Sequence, residues 1–236
     1  MDAALTIIRR PVKHARLRVR EDTSVQLIVP HGFDQPLIDR ILQKKAAWIS
    51  RHQQSFRNRI SERRTLAVDE VLLFDEVFRF VPAPELGRKV IVDEAAREVR
   101  SGRDLTRKVE FHRWHRAYAH DYLGARIAEL SAVHRLPFNR LFIRSQRTKW
   151  GTCSAKRSIS LNWRLICTPK HVVDYVILHE LVHTKILNHS HRFWVHLRAV
   201  CLGIGAAINW LKVNRDVTAL CGLTREEEAL VRATAK

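Results

Sequence analysis

The pentad His179-Glu180-Leu181-Val182-His183, with His189 six residues further on, constrains the fold of this chain more than any other stretch. Residues four apart on an α-helix lie on one face, one turn above the other. His179 and His183 can therefore aim two imidazoles at one ion, but only from a helix. Glu180 sits one step round that helix, beside the ion and within reach of the water it activates. This is the general-base arrangement of the H-E-x-x-H pattern. A catalytic zinc takes three protein ligands and keeps one position open. The third ligand must come from outside the helix, so the chain has to turn back within a few residues.

A helix continued through Asn188 would carry His189 away from His183. Asn188 is expected to take the left-handed conformation that such a turn needs, being the best non-glycine residue for it. Ser190 could then cap a new helix running from Arg192 to Leu197. The His183-to-His189 spacing equals that of the metzincin pattern, where a glycine makes the turn. His191 competes with His189 as third ligand. A chance pentad is the rival reading in a chain of 13 histidines. Against it, Val172 to His183 reads as a helix apolar on most sides and therefore buried. Two histidines and a glutamate are costly there unless paired or metal-bound.

The 236 residues are enough for one large domain or a domain with an appendage, and 46% hydrophobic content supports a core. No run of 18 apolar residues is present, so no membrane span is expected. The first ten residues lack a basic segment followed by an apolar one, so they do not read as a signal peptide. Cys153, Cys167, Cys201 and Cys221 show no C-x-x-C spacing. Free thiols and a cytoplasmic location are the expectation. The net charge of +18 is unevenly placed. Residues 1–64 carry +8, residues 65–100 carry −3, residues 101–170 carry +11 and residues 171–236 carry +2. Such a surface favours polyanions, including nucleic acid, although a solvated basic exterior accounts for it equally well. No residue pattern speaks to oligomeric state.

Along the chain, Ala15–Arg20 and Val25–Pro30 read as antiparallel strands, with Arg16, Arg18 and Arg20 on a wet face. A helix is expected from Gln35 to about Arg57, with Ile38, Ile41, Leu42 and Trp48 inward, then a basic linker to Arg64. Strands return at Val71–Phe74 and Val77–Val81. Residues 93–107 carry no clear pattern. Lys108 to about Leu136 reads as a helix ended by Pro137, with Phe111, Trp114, Ala117, Tyr118, Leu123, Ile127, Leu130 and Val133 as its apolar positions. Arg140–Thr148 and Ser158–Leu165 read as the arms of a hairpin about a turn at Lys149–Ser154, and Pro169 opens the pentad helix. Trp150 and Gly151 shape that turn, and an edge of the hairpin could receive a peptide by strand addition. Two short helices follow, near Ala206–Lys212 and Thr224–Thr234.

Taken together, these segments resemble the YgjP-like family of metallopeptidases, relatives of the SprT-like and WLM proteases. The resemblance is carried by Lys149-Trp150-Gly151-Thr152-Cys153-Ser154, Ile159-Ser160-Leu161-Asn162-Trp163-Arg164-Leu165 and Asp174-Tyr175-Val176. The pentad, Asn188-His189-Ser190 and Phe193-Trp194 complete it. It is strongest over residues 140–200 and extends loosely over nearly the whole chain. Thr152 stands where relatives carry serine. The resemblance implies His179, His183 and His189 as zinc ligands, favouring His189 over His191, and Glu180 as general base. It implies an α+β fold: a minigluzincin-like zincin core, with a small mixed or antiparallel sheet beside the active-site helix, behind a β-rich N-terminal region. We divide the chain at 1–100, a β-rich region with one helix, and 101–236, the core with the C-terminal helices, with one continuous domain as the alternative.

The expected function is hydrolysis of peptide bonds in a protein or peptide substrate. Glu180 takes a proton from the attacking water and passes it to the leaving amine. His191, Tyr175 and Arg147 are the candidates for stabilising the oxyanion or contacting substrate, and Tyr175 can equally be core. One alternative keeps the zinc and hydrolyses a nucleoside triphosphate, with Arg144, Arg147, Lys149 and Arg157 binding phosphate. No P-loop pattern supports it. Another is a nucleic-acid-associated protease, which the charge permits but for which no helix-turn-helix, zinc-finger or RNA-recognition signature is present.

Overall fold

A computed structural model describes residues 4–20, 22–61, 66–146 and 148–214. Arg147 and the helix expected at 224–234 lie outside the described residues. The chain divides into two compact units, Met1–Arg64 and Thr65–Lys236.

The first unit pairs three strands, β1 (Leu5–Arg9), β2 (Arg16–Val19) and β3 (Val25–Val29), in the order β1-β3-β2. The β2–β3 pair is antiparallel, as the alternation predicts, and Arg16 and Arg18 lie on its exposed side. β1, unread in the sequence, pairs parallel to β3. Helix α1 (Gln35–Ser61) follows and runs into the expected linker. The Asp34 carboxylate accepts from the Leu37 N–H at 3.1 Å and so caps its start. Leu27, Val29 and Ile38 are buried together, with Ile41 and Leu42 packed against them.

The second unit opens with four strands, β4 (Glu70–Leu73), β5 (Glu76–Pro82), β6 (Val90–Asp93) and β7 (Glu98–Ser101), in the order β4-β5-β7-β6. β4 and β5 form a hairpin about Phe74 and Asp75, with φ of 53° and 67°. Two consecutive positive φ values match the twist of the flanking strands. The unpatterned stretch holds β7, which pairs antiparallel to β6 and parallel to β5. Helix α2 (Lys108–His134) then crosses the unit and ends on Arg135 in the left-handed region. Its buried face is Leu123, Ile127 and Leu130 as read, but also His112 and His115, while Ala117 and Val133 are exposed.

The third sheet corrects the expected hairpin. β8 (Arg140–Arg144) pairs parallel to β10 (Ser158–Asn162), and β9 (Gly151–Cys153), inside the expected turn, pairs antiparallel to β10. The order is β8-β10-β9, which leaves β9 at an edge. A 3-10 turn (Trp163–Cys167) leads to α3 (Lys170–His183), capped by Pro169, and then to α4 (His191–Val200) and α5 (Ile204–Val213). α3 is apolar nearly all round, with Val173, Ile177 and Leu181 wholly buried, so it is the core helix the sequence predicts. One cluster joins it to β4, α2, β10 and α4. With five helices and three small mixed sheets among the described residues, the fold is α+β and consistent with a zincin-like architecture.

The cysteines depart from expectation in one respect. Cys153 and Cys201 are free, but Cys167, wholly buried, is disulfide-bonded. Sequence spacing does not reveal such a bond, because it forms between residues that the fold brings within about 7 Å. Thiol usage therefore no longer argues for a reducing compartment. No single helix among the described residues is long and apolar enough to cross a membrane.

Candidate metal centre

α3 carries His179 and His183 one turn apart, with ring centroids 4.8 Å from each other. The helix stops directly after them. Thr184 donates its N–H to the Leu181 carbonyl at 3.0 Å and its hydroxyl to the same oxygen at 2.8 Å. Ile186 N–H closes on the Val182 carbonyl at 3.0 Å. Asn188 is not among the residues with positive φ, against expectation. It acts through its side chain, whose Oδ1 accepts from the Ser190 N–H at 3.3 Å. Ser190 occupies the cap position of α4 but makes no side-chain cap bond.

The turn brings His189 back onto α3. Its Nε2 lies 3.0 Å from that of His179 and 3.2 Å from that of His183, and the His179 and His183 Nε2 atoms are 3.2 Å apart. His191 is exposed at the first turn of α4 and does not join the group.

Protonation decides what such a triangle can hold. The His183 Nδ1 lies 2.9 Å from the Ile186 carbonyl, a contact that requires the proton on Nδ1. Its Nε2 is then a bare lone pair. Burial, followed by His183 and His189, pushes His179 down to about 3, and burial also lowers His183. The neutral rings of His179 and His183 thus converge with the His189 Nε2 on one point, an arrangement that a cation between them would satisfy. Tetrahedral zinc with bonds of about 2.0–2.1 Å sets its ligands about 3.3 Å apart. The triangle fits that size, and three imidazoles suit zinc among the divalent ions. Phe193, wholly buried on α4, stacks on His183 at 4.5 Å and meets the edges of His179 and His189 at 4.9 and 4.8 Å. It fixes all three rings from below. Sequence reading noticed it only as part of a motif; its spacing of four from His189 was the available signal.

Glu180 is 6% exposed, and burial raises its carboxyl to about 7, with Lys149 acting the other way. A bound divalent cation would also oppose the rise. Gly151, at the start of β9, lies directly against it. A Cβ there would sit 2.7 Å from Glu180 Cγ and 2.8 Å from Oε1. The sequence placed Gly151 in a turn and gave it no part in seating the carboxylate. Beside them opens a cavity of about 220 Å³, lined by Lys149, Trp150, Gly151, Tyr175, Val176, His179, Glu180 and Leu211.

Tyr175, 7% exposed, has its ring 5.8 Å from that of His179 and borders this cavity, so it is both core and wall. Of the four cations read as a phosphate cluster, Lys149 alone lines it among the described residues. Arg144 lies over Phe142 on β8, the far edge of the sheet, and Arg157 sits in the β9–β10 turn with φ of 56°.

The sequence profile of a family described as YgjP-like, metallopeptidase domain, matches residues 13–214. No curated protein and no solved structure gives a significant match.

Proposed function

The chain belongs to the YgjP-like metallopeptidase family, and from that premise we propose that it is a zinc peptidase in which His179, His183 and His189 hold the metal and Glu180 is the general base. The observation that carries this reading is the convergence of three imidazole nitrogens within 3.2 Å beside a buried carboxylate. When bound, zinc supplies Lewis acidity, polarising a substrate carbonyl and acidifying water. The protein residues do the rest. Ile186 holds His183 in the tautomer that presents Nε2. Gly151 seats the Glu180 carboxylate, which takes the proton of the attacking water and returns it to the leaving amine. Tyr175, on the cavity wall, is placed to meet substrate. β9 is an edge strand next to the pentad helix, which suits an extended peptide added to it.

The test pairs metal content with hydrolysis of an unfolded protein such as casein. Wild type and Glu180→Gln should each carry one zinc per chain, with activity lost at least about 100-fold in the variant. His189→Ala should lose the zinc, and His191→Ala should keep it. Zinc in wild type without proteolysis would remove the peptidase reading. No zinc in protein purified without chelator would remove the metal reading as well.

A further inference from the structure

The cavity beside Glu180 is built from three elements. The chain entering β9 gives Lys149, Trp150 and Gly151, α3 gives Tyr175 and Val176, and α5 gives Leu211. α5 is held there by Trp210, whose ring meets Trp150 edge-on at 6.4 Å. The walls of Trp150, Val176 and Leu211 are apolar. Among the described residues, Lys149, exposed, is the cation of the lining and Glu180 its carboxylate. Glu180 is the carboxylate that Lys149 acts on, and the chain around Lys149 is basic: no Asp or Glu occurs between Glu129 and Asp174, a stretch with nine Lys and Arg residues that spans all of β8, β9 and β10.

An apolar recess with a cation at an exposed position in its lining is the usual form of a site that reads a hydrophobic group and one negative charge. We propose that this cavity is the subsite for a substrate residue flanking the cleaved bond. It selects aliphatic or aromatic side chains there, and Lys149 pairs with a carboxylate on the substrate next to that residue. The substrate class is therefore acidic, apolar peptide segments. Glu180, at the cavity floor, meets the bond itself, while Trp150 and Leu211 set which side chain enters. The inference rests on the peptidase reading for its location, but it concerns binding and can be measured apart from turnover.

The experiment uses the full chain, zinc-loaded, with fluorogenic peptides that vary the residues flanking the cleaved bond. The same labelled peptides are titrated by anisotropy onto Glu180→Gln. Peptides with Leu or Phe beside the bond and Asp or Glu next to it should be cleaved and bound at least about tenfold better than those with Ser or Lys there. Lys149→Glu, at an exposed position that leaves the fold intact, should invert the charge preference toward Lys and Arg. Leu211→Glu should abolish the preference for Leu and Phe, with zinc content confirming the fold. Cleavage of all peptides without preference, or an unchanged charge preference in Lys149→Glu, would overturn the subsite while leaving the peptidase intact. Selective binding without any cleavage would instead keep the subsite and overturn the peptidase.

Discussion

Gly151 and Glu180 show how much of the site lies in a single missing carbon. A methyl at residue 151 would press on the end of a flexible side chain, not on backbone. The fold can therefore accept it, but the carboxylate cannot stay where it is. Gly151→Ala should keep its zinc and its thermal midpoint within a few degrees, while kcat falls about 100-fold, the usual result of displacing a catalytic group by about 1 Å. Unchanged kcat with intact zinc would show that Gly151 seats nothing. At this scale the pairing of His179 with His183 on one helix face was legible in the sequence, because a spacing of four on a helix is a geometric statement in itself. It was a poor guide to Asn188, whose side chain turns the chain where its backbone was expected to. It gave Gly151 a place in a turn but no contact with Glu180, because contact between β9 and α3 is set by tertiary packing.

At the scale of elements, α2 holds features its apolar pattern conceals. His115 is wholly enclosed, and neither ring nitrogen has a hydrogen-bond partner. Burial, then the neighbouring His112 and Arg164, pushes it down to about 3. Unfolded, the same imidazole titrates near 6.5. Between these values the unfolded chain binds a proton that the folded chain refuses, so stability rises with pH across that window and is lost as pH falls. Wild type should lose up to about 1.4 kcal/mol per pH unit from this group on going below pH 6.5. His115→Phe should flatten that slope in melts taken from pH 7 to pH 5. An identical slope in the variant would assign the acid sensitivity elsewhere. α2 is also tied to α3. Arg126 donates from Nε and one terminal nitrogen to the two Asp174 oxygens, both at 2.7 Å, and from the other to Glu129 at 2.7 Å. The pair is a little over a quarter exposed, so solvent screens it in part. Arg126→Met should cost about 1–2 kcal/mol by urea denaturation, with zinc retained. A cost near zero would mean packing alone fixes the two helices. Helices were legible because 3.6-residue periodicity is local. Strand direction was not: β8 and β10 carry the same alternation whether parallel or antiparallel, so the crossover through β9 was missed.

For the whole molecule, the two units differ in what holds each together. Among its described residues the first gathers Leu27, Val29 and Ile38 as a small buried cluster of its own. The second gathers β4, β5, β7, β10, α2, α3, α4 and α5 around one continuous core, and all three candidate ligands, Glu180 and the cavity belong to it. A unit of 64 residues with so small a core is marginal by itself, whereas one of more than 150 can bury most of its apolar surface. The first unit carries +8 over 64 residues and the second +10 over 172, so the charge density is higher in the first. Sequence composition made that asymmetry visible, but the boundary at Arg64 shows only where packing is dense and where it is not. The family match begins at residue 13, inside the first unit, while the three candidate ligands all belong to the second. A chain of residues 65–236 should therefore fold cooperatively and bind one zinc, whereas residues 1–64 alone should show no cooperative melt. Loss of zinc from the longer fragment, in protein that is otherwise folded by circular dichroism, would mean the metal centre depends on the first unit. A sharp melt from the shorter one would mean its small buried cluster understates what stabilises it.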